Sequence, residues 1–324
     1  MSGRHKLRPV LDGGFRMIGD NPGLGELQGN TDPARGPVQE CVDHHVFRSA
    51  DGAWHLWGCI RNTAAGRVLY HWEAASLAQE HWRQTGEVIR ADRAAGECIR
   101  DADGKEWLQS PFVVQQGGTF YMFYGGHCTG EGADGNPAGA GDERNEGQIC
   151  LRTSPDGRRW TRHDDGLGRS RVFVAPGETR DPCLTRIADR WHLYYAGYHG
   201  GRRNNPGYYL RTSDDLVHWS AWRLVHQDLA FGAGNWGTEC PHVVERGGWF
   251  YLFRTEHYAA RKSHVFRSAD PEDFGIGDAS AHYVCPLPIA APEIITDTDG
   301  TEYITSNHNL AGGTMMCRLA WKEA

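Results

Sequence analysis

The chain has 324 residues, 23% of them charged, and a formal net charge of -7, enough length for one large domain or two small ones and the wrong balance for gripping phosphates with clustered Lys and Arg. No apolar run is long enough for a membrane-spanning helix, and the charged N-terminus has no apolar stretch behind it, so neither a membrane nor a secretory route is expected. Nine cysteines with no Cys-x-x-Cys pair read as reduced core thiols in a cytoplasmic protein rather than as a zinc site.

Residues 1–40 are rich in Gly, Pro and polar residues, with one strand-like piece at 15–19. After that, one pattern is written five times: a strand, a tight turn carrying Gly or Asp, and an aromatic second strand. The copies begin at Asp43-His44, Ser110-Pro111, Asp181-Pro182, Glu239-Cys240-Pro241 and Ala291-Pro292. Gly117-Gly118, Gly247-Gly248 and Asp299-Gly300 are hairpin turns that need positive φ. The anchors His44, Pro111, Pro182, Pro241 and Pro292 are 67, 71, 59 and 51 residues apart. Hairpins recurring at this period predict a propeller. Outer strands follow, with Ser154-x-Asp156 and Ser213-x-Asp215 turns closed by Trp160 and Trp219.

Only 74–83 and 91–99 have helix-compatible composition. The second-strand aromatics (Trp54, Trp191, Tyr195, Trp249, Tyr251) recur in every unit and read as core between blades. The last unit ends one strand short, and the 15–19 piece is the candidate to complete it and close the ring. The expected fold class is all-β, a single-domain five-bladed β-propeller over 1–324.

That topology gathers the strand entries Asp43, Ser110, Asp181, Glu239 and Glu293 at one mouth. The loops between second and third strands join them, with Arg61, His127, Tyr198, His199, Glu256, His257, Asn307 and His308, and Trp236 sits at the same rim. Arg202, Arg203 and Arg254 are the cations available for a substrate. Converging carboxylates repel and raise one another's pKa, which suits a general acid near neutrality. Hydrolysis of a glycosidic bond needs at least two such groups. Each residue also has a plainer reading. Asp43 could be only a turn residue, and Glu293 a structural one. His44, His127, His199, His257 and His308 read as hydrogen-bonding groups rather than metal ligands, and Trp236 reads equally as a sugar platform or as rim packing.

Arg180-Asp181-Pro182 and Glu239-Cys240-Pro241 resemble the two signature motifs of glycoside hydrolase family 32, the β-fructofuranosidases. The Asp-led first unit and the Ser-Pro second unit resemble family 43, the arabinofuranosidases, arabinanases and β-xylosidases. The resemblance spans about residue 40 onward and implies a five-bladed propeller with an Asp, Asp, Glu set. It makes Asp43 the nucleophile or general base, Asp181 the transition-state stabiliser, Glu239 the general acid and Arg180 a sugar or carboxylate ligand. Two features depart from it. Val42-Asp43-His44-His45-Val46 stands where family 32 carries Asn-Asp-Pro-Asn-Gly, and the β-sandwich that follows the family 32 propeller has no counterpart in these 324 residues. The implied activity is hydrolysis of a small fructofuranoside, arabinofuranoside or xyloside, with a carbohydrate or glycoconjugate substrate and no required cofactor. Some family 43 members hold a channel cation, so a structural one near His308 is compatible. A non-catalytic sugar-binding propeller and a phosphorylase or transferase on the same fold are the alternatives.

Overall fold

The structure is a computed structural model that describes residues 4–29, 39–97, 105–127, 147–175, 179–198, 206–233, 237–307 and 312–324. Its strands form five sheets, each led by an inner strand and antiparallel except that the short Glu106–Trp107 strand pairs parallel to Gly66–Ala74 in the first. The first blade runs Glu40–Arg48, Trp54–Thr63, Gly66–Ala74 and Arg83–Ile89. The second runs Gln109–Gln116, Thr119–His127 and Gly147–Ser154, with Thr161–Arg162 and Arg171–Ala175 both pairing on its third strand. The third is Thr179–Ile187, Arg190–Gly197, Gly207–Ser213 and Arg223–His226. The fourth is Glu239–Arg246, Trp249–His257, Lys262–Ser268 and Tyr283–Leu287. The fifth is Ile294–Thr296, Glu302–Asn307 and Thr314–Glu323, and its fourth strand is the N-terminal Leu7–Gly19.

Five apolar clusters show that these sheets stand in a ring, because each cluster is shared by two neighbouring blades. Blades one and two share Trp57, Cys59, Met122 and Tyr124. Blades two and three share Phe123, Ile149, Leu193 and Tyr195. Blades three and four share Tyr194, Tyr208, Leu252 and Phe266. Blades four and five share Tyr251, Phe253, Ile304 and Cys317. The fifth cluster closes the ring, with Ile18, Tyr303 and Met316 of blade five against Leu56 and Trp72 of blade one. The period-2 alternation of a strand explains how one strand serves two interfaces: Tyr194 faces blade four while Tyr195 faces blade two.

The Ser-x-Asp turns act as expected. Ser154 Oγ accepts from Gly157 N at 2.8 Å, and Ser213 Oγ accepts from Leu216 N at 2.9 Å. The described residues of the helix-compatible stretches do not form helices. Residues 75–82 are turns and bends, and 92–97 are mostly turn. In the first, the backbone of His81 and Trp82 donates instead to Met17 and Ile18 of the N-terminal strand. In the second, Glu97 accepts from Asp92 N, Tyr124 and Ser170. Tertiary hydrogen bonds outweigh local propensity in both. Among the described residues there is no α-helix.

Among the described residues, Arg254 is the most deeply buried arginine. It is fully buried on the second strand of blade four. Its guanidinium donates to the carbonyls of Asp228, Gly232 and Gly237 at 2.8–3.2 Å. It thereby ties the loop before Glu239 to the sheet.

Leu7–Gly19 pairs with Thr314–Glu323 from Leu7↔Glu323 to Gly19↔Thr314. It buries Ile18 completely and packs Leu7, Leu11 and Phe15 against the blade-four side. Each such side chain contributes about 1.5–3 kcal/mol when fully buried. Deleting residues 1–19 should therefore lower the melting temperature by about 10 °C or more and promote association through the bared edge. An unchanged, concentration-independent melting curve would show that the ring does not depend on this strand.

Candidate active site

The inner strands of blades two, three and four enter the ring through the same distortion. Ser110, Asp181 and Cys240 each precede a proline and sit at φ 50, 56 and 51. In each blade, two residues of the inner strand oppose one of the second: the pairing steps from Gln109↔Gly125 to Phe112↔Phe123, from Arg180↔Ala196 to Cys183↔Tyr194, and from Glu239↔Thr255 to His242↔Phe253. This is a β-bulge, and proline fits it because the displaced residue makes no ladder bond. Ala291, before Pro292, has the same backbone at φ 48. Blade one shifts register between Cys41 and Asp43 without a positive φ.

The bulge fixes which side chains face the mouth. Gln109, Arg180 and Glu239 are equivalent, two residues before their prolines, and all three line one cavity of about 500 Å³ with Asp43 and Asp181. The remaining lining comes from Val42, Arg61, Arg67, Glu256, His257, Tyr258 and Ala259. Gly147 makes room for this arrangement. A Cβ there would stand 2.1 Å from Thr179 N, so only glycine lets the Thr179–Ile187 strand enter so close to blade two.

Each carboxylate is held. Asp181 Oδ1 accepts from Ser110 Oγ at 2.6 Å, and its Oδ2 accepts from Cys240 N at 2.9 Å. Arg180 bridges the pair, with Nε 3.4 Å from Asp181 Oδ2 and Nη2 donating to Glu239 Oε1 at 3.2 Å. Asp43 Oδ1 accepts from Tyr258 OH at 2.6 Å. Carboxylate oxygens of Asp43 and Asp181 and the Cys240 thiol lie within 4.8 Å of one another. Burial pushes the Asp181 carboxyl above its usual range; Arg180 opposes this, and Asp43 adds to it. Burial, together with these carboxylates, also drives the Cys240 thiol and the Tyr258 phenol well above their ordinary values. Both therefore stay neutral, and Tyr258 stays a donor.

Below the mouth, a second space of about 30 Å³ is ringed by His44, Ser110, Pro111, Phe112, Pro182, Pro241 and Glu293. His44 and Glu293 belong to this channel rather than to the main cavity. The reason is register, since Glu293 follows its proline and so occupies the place of Phe112, Cys183 and His242 in the other blades. His44 Nε2 bonds Thr305 Oγ1 at 2.7 Å, and Glu293 pairs with His45 Nδ1 at 3.0 Å. Burial would raise the Glu293 carboxyl, but the charge and hydrogen bond of His45, with His44 and His242, bring it below its ordinary value. Burial lowers His242 to about 4. Arg254 is likewise removed from the substrate-facing set by its backbone bonds.

Of the other sequence candidates, Arg61, Glu256 and His257 line the cavity, whereas Asn307 is buried and accepts from Thr314 Oγ1. Tyr198 is also buried. The His127 side chain, His199, Arg202, Arg203, Trp236 and His308 lie outside the described residues. Sequence reasoning missed Gln109, Arg67 and Tyr258. Gln109 was readable, since it stands two residues before Pro111 as Arg180 does before Pro182. Tyr258 had only its place beside His257 to recommend it.

No protein-family model matches the chain, and no curated protein sequence matches it. Solved structures do. An exo-1,5-α-L-arabinanase from a bovine ruminal metagenomic library is similar at 17% identity and a TM-score of 0.59, with 86% of this chain and 92% of that one covered. A xylan β-1,4-xylosidase from Bacillus halodurans is similar at 16% identity and a TM-score of 0.57, over 89% of this chain and 54% of that one. A family GH32 β-fructofuranosidase of Bombyx mori is similar at 16% identity and a TM-score of 0.55, over 91% of this chain and 62% of that one. The chain therefore shares the five-bladed β-propeller fold of the glycoside hydrolases of families 43 and 32.

Proposed function

We propose that the protein is a glycoside hydrolase that cleaves a small furanoside or pentoside at the cavity lined by Asp43, Asp181 and Glu239. One observation carries this reading: three carboxylates from three blades share one open cavity, and each is held by a donor from a different part of the chain. The fold neighbours named above, an arabinanase, a xylosidase and a β-fructofuranosidase, support it.

In this reading Glu239 protonates the leaving glycosidic oxygen as the C–O bond breaks. Asp43, oriented by Tyr258, either attacks the anomeric carbon or takes a proton from the water that does. In the first case water later hydrolyses the glycosyl ester, and Glu239 accepts the proton of that water. Asp181 binds ring hydroxyls and stabilises positive charge at the anomeric centre. Arg180 holds Asp181 and Glu239 at fixed separation, which limits reorganisation in the transition state. A cytoplasmic location would make the substrate an imported oligosaccharide or an intracellular glycoconjugate.

The test is a panel of nitrophenyl furanosides and pyranosides, with sucrose and short inulins. Glu239→Gln and Asp43→Asn should each lower kcat by about 10²–10⁴-fold while sugar binding remains measurable by calorimetry. Turnover retained in both variants would remove these residues from the chemistry. Binding without turnover of any panel member by the wild-type protein would favour a sugar-binding role.

Asp181 gives a second test, in stability. A carboxyl whose folded pKa is raised contributes stability below its unfolded value and loses it as pH rises through the folded one. The ionised Asp181 is thus a cost near neutrality that Asn does not carry. Asn also tolerates the left-handed backbone, can accept from Cys240 N and can donate to Ser110. Asp181→Asn should therefore be inactive yet more stable than wild type, with the gain larger near pH 7 than near pH 4. Equal or lower thermal stability at both pH values would contradict the placement of its charge.

A further inference from the structure

Among the described residues, three arginines line the cavity, and their charges are not equally met. Arg61 makes a two-pronged pair with Glu40, from Nε at 2.9 Å and Nη2 at 2.5 Å. Arg180 lies between Asp181 and Glu239. Arg67, on the Gly66–Ala74 strand, is as buried as Asp43. Its hydrogen-bond partner is neutral, since Nη1 donates to Gln109 Oε1. Its guanidinium lies 4.3 Å over the Trp107 ring, which fixes the plane of the fork. Among the described residues it has no carboxylate partner.

The donors beside it are also in surplus. Arg67 Nε and Gln109 Nε2 are both buried without an acceptor. A buried guanidinium without a counter-charge and a buried amide N–H without an acceptor each cost folding free energy, and here both belong to residues that line the same cavity. The acid on the opposite rim, Glu256, does not serve Arg67: it is engaged by Lys262 and His264, each at 2.6 Å. A guanidinium whose charge is not met by the protein matches a carboxylate, and matches a neutral hydroxyl less well.

From this we infer that the blade-one side of the cavity, built on Arg67 and Gln109, receives a carboxylate carried by the sugar, so that the substrate is an acidic (uronic acid) glycoside rather than a neutral one. This rests on the reading of the cavity as a glycosidase site and changes its substrate class from a neutral furanoside or pentoside to a uronide. The sugar would lie with its anomeric carbon at Asp43 and Glu239 and its carboxylate toward Arg67.

The experiment uses the full-length Glu239→Gln protein, so that binding is read apart from turnover. Calorimetry compares sodium D-glucuronate and D-galacturonate with D-xylose, L-arabinose and inorganic phosphate at low salt. Wild-type turnover is compared on matched nitrophenyl β-D-glucuronide and β-D-xylopyranoside. The acidic sugar should bind about 10-fold or more tightly than its neutral partner, with a preference that shrinks as NaCl is raised. Adding Arg67→Gln should abolish that preference and change neutral-sugar affinity by less than about 3-fold. Arg67→Lys, which keeps the charge, should retain part of it and stands in should the Gln variant fail to fold by circular dichroism. Equal affinities for acidic and neutral sugars would overturn the inference. So would a parallel loss of both on substitution, or phosphate as the sole ligand sensitive to Arg67. Selective uronate binding without turnover of any glycoside would leave the carboxylate subsite at Arg67 standing and remove the hydrolase reading. Turnover of neutral glycosides without acid preference would do the reverse.

Discussion

The site depends on a backbone distortion rather than on any one side chain. Three inner strands carry a left-handed residue followed by proline at the point where they enter the ring. A non-glycine residue in that conformation costs about 1–3 kcal/mol, so the ring sustains several kcal/mol of local strain at one mouth. The distortion turns two consecutive side chains toward that mouth. Position one supplies Gln109, Arg180 and Glu239 to the cavity; position two supplies Asp181, with Ser110 and Cys240 bonded to its carboxylate from the space below. A regular strand would send these alternately to opposite faces, and Arg180 could not reach both Asp181 and Glu239.

The electrostatics of the mouth follow from that geometry. Glu239 and Asp181 come from adjacent blades and are bridged by one guanidinium, while Asp43, from the first blade, has a neutral phenol as its donor. The charge is therefore graded. Asp181 is the most confined, with burial and Asp43 both disfavouring its ionised form, against Arg180 and two hydrogen bonds that favour it. Cys240 fills the space between the two aspartates as a neutral thiol. The channel below keeps its own balance through His45 and Glu293. Hydrophobic seams between blades hold these groups in place from behind, and the N-terminal strand completes the last seam.

Much of this was legible in the sequence because hairpins, turn glycines and second-strand aromatics repeat with a recognisable period. Asp43, Asp181 and Glu239 could be gathered at one mouth on that basis. The phase within the repeat was harder. Glu239 corresponds to Arg180 and not to Asp181, and Glu293 lies one residue beyond its proline and so drops into the channel. A one-residue offset is invisible to composition but decides which way a strand side chain points. Arg254 illustrates a different limit, since a lone arginine among aromatics gives no sign that loop carbonyls will surround it. The stretch at 74–83 and the described part of 91–99, up to residue 97, failed as helices because their hydrogen-bonding partners are distant in sequence. Tyr258 was missed because its partner, Asp43, is 215 residues away.

The most direct test of the account is a crystal structure of the Glu239→Gln protein with an uncleaved glycoside bound. The account places the glycosidic oxygen within about 2.6–3.2 Å of the residue 239 side chain, with the anomeric carbon facing Asp43 and ring hydroxyls on Asp181. A sugar bound outside this cavity, or seated in it with the glycosidic bond turned away from residues 43 and 239, would contradict it.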